Sequence, residues 1–377
     1  MPAILSLGFA LPDRSISQAD SMSFALRDCP AEQRALLARM YTSSGVERRG
    51  SVLLTDNPSS SLVPFFETGA GELRNPSTRE RMAKYRELAP HLAIAAARDA
   101  LDHAGSIAAR SSSSSARKIT HLIDVSCTGF GAPGIDVALV EQLQLPRSVH
   151  RVSVGFMGCF GGVVGLRLAA QIARGDPDAR VLVVCTELCS LHYQFDAEMD
   201  QRVANALFAD GAAACVVGVP DSSTRASTSP DAPSSFPRVV DSLSHIVPGT
   251  TDDMSWRIGD HGFGMTLAPS IPGTLAQSLG PALDAWLATH ALTRRDVASW
   301  AIHPGGPKIV RQLVAALELD LTAGDESLGV LREHGNMSSP TVLFVLGRLL
   351  RREPRPLPCV MLAFGPGLSV EAVLVRT

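Results

Sequence analysis

The feature that most constrains this chain is an internal repeat. KITHLIDVSCTGFGAPG reads as an apolar strand running into a glycine-rich loop, and VASWAIHPGGPKI repeats that shape in the second half. GFMGCFGGVVGLRLAAQIARG is a glycine turn followed by an amphipathic helix, with EHGNMSSPTVLFVLGRLLRR as its counterpart. The runs ARVLVVCTE and PCVMLAFG match as strands, and LFADGAAACVVGV matches AFGPGLSVEAVLV, with Phe208 and Gly211 spaced like Phe364 and Gly367. Self-similarity of this kind means one architecture used twice. Apolar strands alternating with helices make it α/β. The alignment places Cys159 and Asn336 at the same point of their units, the turn that opens a helix.

The Ser/Pro-rich stretches 109–117 and 221–237 lack apolar periodicity and read as loops. The second divides the chain into an N-terminal half, 1–220, and a C-terminal half, 238–377. The N-terminus reads as strand and turn, and not as a signal peptide. No apolar run approaches the roughly 20 residues of a membrane span. The expected location is therefore cytoplasmic. A formal net charge of −3 gives no basic footprint for nucleic acid or a membrane surface. The seven cysteines are odd in number, widely spaced and without a CxxC pair, which speaks against a disulfide framework or a zinc site.

Cys159 stands in Gly-Cys-Phe-Gly-Gly at a helix start, where the helix dipole favours thiolate over thiol. His303 ends an apolar strand and opens the Gly/Pro loop His-Pro-Gly-Gly-Pro-Lys, a rigid and accessible place for a base. Asn336, in His-Gly-Asn-Met-Ser-Ser-Pro, reads either as a helix N-cap or as an uncharged donor aimed, with His303, at an oxygen that becomes negative.

The segments GCFGG, IHPGGP, GNMSS and FGPGLSVE, with ALFADGAAA and GVERR, resemble in order and spacing the type III polyketide synthases, the chalcone-synthase-like group of the thiolase fold. The resemblance covers nearly the whole chain and reads as the bacterial type. It implies a duplicated five-layered αβαβα architecture and a homodimer. It also implies a Cys159–His303–Asn336 triad acting on acyl-CoA and malonyl-CoA, with no metal or bound cofactor. Cys159 carries the starter, His303 helps to hold the thiolate, and His303 with Asn336 stabilises the enolate formed as malonyl-CoA loses carbon dioxide.

The resemblance also assigns Phe208 and Met265 to the gate between the CoA tunnel and the cavity, Met265 standing where the family usually has Phe. It places Cys127, Cys189, His192, Trp256 and Ser338 on the cavity wall. For CoA it offers Arg39, with the companion basic positions falling on Leu36 and Ser43. The Gly305-Gly306 loop and Lys308 are the remaining CoA candidates. Where the family has a methionine that crosses the dimer, this chain has Ala132. The expected product is an alkylpyrone or alkylresorcinol, although bulky Trp256 and His192 also suit a smaller, malonyl-primed aromatic product. A fatty-acid initiation condensing enzyme of the same fold is the nearest rival reading. A hydroxymethylglutaryl-CoA synthase type would need a general-acid glutamate, and neither Glu187 nor Glu333 stands in a matching context. A cysteine hydrolase and an inactive binding protein are the other rivals.

Overall fold

Runs of Val, Ile, Leu, Ala and Cys long enough to be buried on both faces become strands here, and the intervening amphipathic segments become helices. The structure, a computed structural model, describes residues 1–55, 63–108, 118–195, 199–220 and 236–377. The loop expected at 109–117, and all of 221–237 except its last two residues, lie outside these. The strands are β1 (Ala3–Ala10), β2 (Ser15–Ser17), β3 (Arg48–Gly50), β4 (His121–Ser126), β5 (His150–Gly155), β6 (Arg180–Leu188), β7 (Asp210–Gly218), β8 (Arg238–Ile246), β9 (Met254–Gly259), β10 (Gly262–Leu267), β11 (Ser299–Ile302), β12 (Cys359–Gly365) and β13 (Ser369–Arg376). The helices are α1 (Gln18–Leu26), α2 (Arg34–Ser43), α3 (Thr78–Ala108), α4 (Ile135–Gln142), α5 (Gly161–Gly175), α6 (Met199–Leu207), α7 (Ile271–Ala288), α8 (Pro307–Ala316), α9 (Asp325–His334) and α10 (Thr341–Leu350).

The repeat appears directly in the strand pairing. β4 lies parallel to β6, which is antiparallel to β7; β11 lies parallel to β12, which is antiparallel to β13. The two sets join in one sheet of order β11-β12-β13-β8-β1-β7-β6-β4-β5. The join is slight, since β1 and β8 pair only at Ala3 and Arg238.

Three apolar clusters define the layers. One contains Val163, Leu166 and Ala170 of α5, Val342 and Val345 of α10, and inward residues of strands from both sets, including Val183 and Met361. A second packs α3 and α4 on the other face of β4, β6 and β7, and a third packs α7 and α8 on β11, β12 and β13. The result is helix, sheet, helix pair, sheet, helix: the αβαβα stack of a thiolase-like α/β fold. Each fully buried Val or Leu here contributes roughly 1.5–3 kcal/mol, and the central helices bury such residues on most of their surface.

Candidate functional site

The turn carrying Cys159 is an elbow between β5 and α5. Phe156 has φ 61° and Gly158 φ 74°, so the chain reverses twice in the left-handed region before the cysteine. A Cβ on Gly158 would lie 2.6 Å from Pro366 Cδ, so only glycine fits. Cys159 occupies the 3-10 turn Gly158–Phe160 immediately before α5, as the sequence suggests.

Of the two sequence readings of Asn336, the N-cap is excluded: Pro340 holds that position on α10, and Ser338, at φ 58°, keeps the chain out of a helix until Thr341. Asn336 is instead held by backbone, donating from its N–H to the Leu207 carbonyl and accepting from Ala209 N, both at 2.9 Å. Its Oδ1 accepts from Ser338 N at 2.8 Å. That leaves Nδ2 as a donor, and Asn336 and Ser338 both act on the Cys159 thiol to favour its charged form. Ser338 Oγ also lies 3.2 Å from Cys127 Sγ, so one hydroxyl stands between two thiols.

His303 follows β11 and is 1% exposed, with its backbone N–H donating to Leu362 of β12. Further along β12, Gly365 packs on Phe160, which brings the histidine to the same end of the sheet as Cys159. Among the described residues neither ring nitrogen has a hydrogen-bond partner. Burial lowers His303 to about 3, and burial raises Cys159 to about 12 although that residue is half-buried against the cavity. Ser338 and Asn336 pull the thiol down by less. The helix-start argument for a resting thiolate is therefore corrected: desolvation outweighs the dipole, and each group alone rests neutral.

Cys159 opens into a cavity whose free volume is about 110 Å³. Its lining includes the expected Cys127, Cys189, His192, Trp256 and Ser338, and the gate candidates Phe208 and Met265. Trp256 and Met265 face each other across the β9–β10 hairpin. Trp256 Nε1 donates to the Cys127 carbonyl at 2.7 Å. His192 Nε2 donates to the Thr128 carbonyl at 2.6 Å, and its Nδ1 accepts from Phe263 N at 3.1 Å. Burial pushes this imidazole down to about 3, so it is a neutral, fixed wall, with the Phe263 ring stacked 4.0 Å away.

The CoA candidates fall elsewhere. Arg39 on α2 and Lys308 in the first turn of α8 are exposed, and neither they nor Gly305 and Gly306 line the cavity. Pro307 does approach Gly45, just beyond α2, and Gly306 faces Leu207 beside the gate candidate Phe208.

Sequence reasoning set Glu187 aside and missed other groups along and behind the cavity wall. Glu187 is fully buried directly behind Cys127, accepting from its N–H, from Thr128 Oγ1 at 2.7 Å and from Ser339 Oγ at 2.5 Å. Burial raises its carboxyl. Phe263 gave no signal because its partner His192 lies far off in sequence. The apolar lining residues Ile16, Phe24, Leu53, Leu54, Val63 and Phe66 were also invisible, since they converge from four short segments. Among the described residues no group of three or more His, Cys, Asp or Glu could hold a metal, and no helix is long and apolar enough to cross a membrane.

Two family models match consecutively: "Chalcone and stilbene synthases, N-terminal domain" over residues 1–221, and the corresponding C-terminal domain over 238–377. The chain belongs to the type III polyketide synthases. Among its relatives, the 1,3,6,8-tetrahydroxynaphthalene synthase of Streptomyces peucetius subsp. caesius is 35% identical, over 99% of this chain and 93% of that protein. The alpha-pyrone synthesis polyketide synthase-like Pks18 of Mycobacterium tuberculosis is 32% identical, over 98% and 90%. The crystal structure of PKS-I from the brown alga Ectocarpus siliculosus superposes with a TM-score of 0.90 at 30% identity, covering 100% of this chain and 98% of that one. As a type III polyketide synthase the chain is a condensing acyltransferase that works on CoA thioesters and needs no further cofactor.

Proposed function

We propose that this synthase extends an apolar acyl-CoA starter, held as a thioester on Cys159, by decarboxylative condensation with malonyl-CoA, and releases a cyclised pyrone or resorcinol-type product. The observation that carries the reading is the set of groups acting on one sulfur: Asn336 and Ser338 on Cys159, which lines a cavity whose wall is mostly apolar.

From the neutral resting state His303 acts as a base. The Cys159 proton passes to its imidazole, the sulfur attacks the starter thioester, and departing CoA takes the proton back. Malonyl-CoA then loses carbon dioxide; the freed electron pair becomes an enolate whose oxygen meets the donors of Asn336 and His303. The enolate carbon attacks the acyl thioester, a C–C bond forms, and Cys159 leaves as thiolate. Phe208 and Met265 gate the entrance, and Arg39, Gly305, Gly306 and Lys308 lie where CoA would dock outside it.

A second reading has its own support. The His192–Phe263–Trp256 wall and a free volume of about 110 Å³, below the roughly 300–1,000 Å³ of typical ligand pockets, suit a small malonyl-primed chain, as in the naphthalene-synthase relative. A starter screen from acetyl- to palmitoyl-CoA with malonyl-CoA, read by mass spectrometry, separates the two. Products retaining an apolar starter support the first reading; a malonyl-only aromatic product, unchanged by any starter, overturns it.

The division into halves 1–220 and 238–377, a cytoplasmic location and a homodimer belong to the same proposal. The edge strand β5 supports the dimer. It buries only Val154 and leaves Val152 45% exposed on the sheet edge, and just past its end Phe156 meets the 55% exposed Phe130. An open edge of this kind calls for a cover, and a second copy supplies one.

A further inference from the structure

Extension leaves unused a buried carboxylate that stands behind two serines of the cavity wall. Asp210 opens β7 and is 0% exposed. Its Oδ1 accepts from Ser190 N at 2.7 Å, and its Oδ2 accepts from Ser190 Oγ at 2.6 Å and Val52 N at 2.9 Å. Ser190 Oγ in turn accepts from Ser51 Oγ at 2.8 Å. Both serines line the cavity with Cys159.

The direction of this chain is fixed by valence. A carboxylate only accepts, so Ser190 spends its single hydroxyl hydrogen on Asp210. Ser51 must then donate to Ser190. Ser51 Oγ keeps two lone pairs, and Leu53 N–H occupies one at 3.2 Å. The other is an acceptor offered to whatever fills the cavity.

We propose that Ser51, Ser190 and Asp210 form a proton relay that takes up the enol proton when the bound polyketide closes to a lactone. The inference rests on the proposed iterative extension. In the step, the enol oxygen attacks the Cys159 thioester carbonyl; a C–O bond forms and the C–S bond breaks. The enol proton moves to Ser51 Oγ, the proton of Ser51 moves to Ser190, and that of Ser190 moves to Asp210. Cys159 leaves as thiolate and is reprotonated from water, to which Asp210 later returns its proton. Ser51 meets the substrate; Asp210 acts through the two hydroxyls as a positioning residue and proton store.

Burial raises Asp210 to about 6 against the hydrogen bonds that lower it, so its accepting form is lost on mild acidification. The ionisable residues on the elements packed against its strand include Arg49 on β3, Glu187 and Cys189 at the end of β6, and Arg81, Tyr85 and Asp99 on α3, while β1 carries none.

The test uses the full chain, one accepted starter and malonyl-CoA, and measures lactone formed per carbon dioxide released. In the wild type this ratio should rise as pH passes upward through about 6. Ser51→Ala should lower it roughly tenfold or more at neutral pH, raise open-chain acids and flatten the pH profile; Ser51→Thr should restore both. Asp210→Asn should behave like Ser51→Ala, and the Ser51 pair decides the matter if that variant fails to fold. Extended products with an unchanged partition and pH profile in Ser51→Ala overturn the relay alone. No extended product from the wild type overturns the functional reading, and the relay with it.

Discussion

Asn336 and Phe208 are bridged backbone to backbone, as parallel partners flanked by the Asn336–Leu207 and Ala209–Asn336 hydrogen bonds. Arg49 clamps the same place, donating to the carbonyls of Asn205 and Phe208. The proposed enolate donor and the proposed gate are thus one rigid unit assembled from two halves of the chain.

Asn336→Asp keeps an acceptor for Ser338 N and removes the amide donor. Carbon dioxide release from malonyl-CoA should fall about 10²–10³-fold, the usual cost of losing one such donor, while starter loading falls less. Separate assays of the two half-reactions check this; equal losses would contradict the enolate role.

The halves meet where glycine removes the side chain. A Cβ on Gly162, at the start of α5, would sit 2.4 Å from the Ser339 carbonyl oxygen, three residues beyond Asn336. Because the obstacle is backbone, Gly162→Ala should cost about 3 kcal/mol or more and depress both half-reactions. Denaturant unfolding measures the first and the two assays the second.

Asp124 on β4 accepts from Ser153 at 2.9 Å, has an unpartnered Oδ1, and is raised by burial to about 6. A carboxyl raised on folding stabilises the native state fully only below its unfolded value, and that contribution is lost as pH rises through the folded one. Asp124→Asn should therefore gain stability relative to wild type on going from about pH 5 to 8, by about 1–1.5 kcal/mol. Unfolding curves at the two pH values test the difference.

If β5 pairs with a second copy, a charge on its exposed face should block the contact. Val152→Lys should shift a dimer toward monomer in sedimentation while leaving the monomer folded.

Much of this was legible in the sequence because the repeat carries period and glycine spacing together. β4, β6 and β7, and their counterparts β11, β12 and β13, follow from apolar runs alone. Cys159 was legible as a turn residue, and Cys127, Cys189, His192, Trp256 and Ser338 do reach the cavity it opens on. The resting charge of Cys159 was not legible, since a dipole is local to a helix start and desolvation depends on everything packed above it. Asn336 looked like a cap because Pro340, not Asn336, sets where α10 begins. Ser51 meets Ser190, and through it Asp210, across 139 residues of sequence separation and leaves no local pattern.

Three cavity thiols, Cys127, Cys159 and Cys189, could in principle carry the acyl chain, and burial raises all three. Only Cys159 combines a helix-start turn with donors from both Asn336 and Ser338. The direct measurement is intact-protein and peptide mass spectrometry after incubation with an accepted acyl-CoA, on wild type and Cys159→Ala. The account predicts one acyl adduct, on the Cys159 peptide, absent from the variant together with chain extension. An adduct that persists at the wild-type rate in Cys159→Ala, or extension that continues without Cys159, would contradict it.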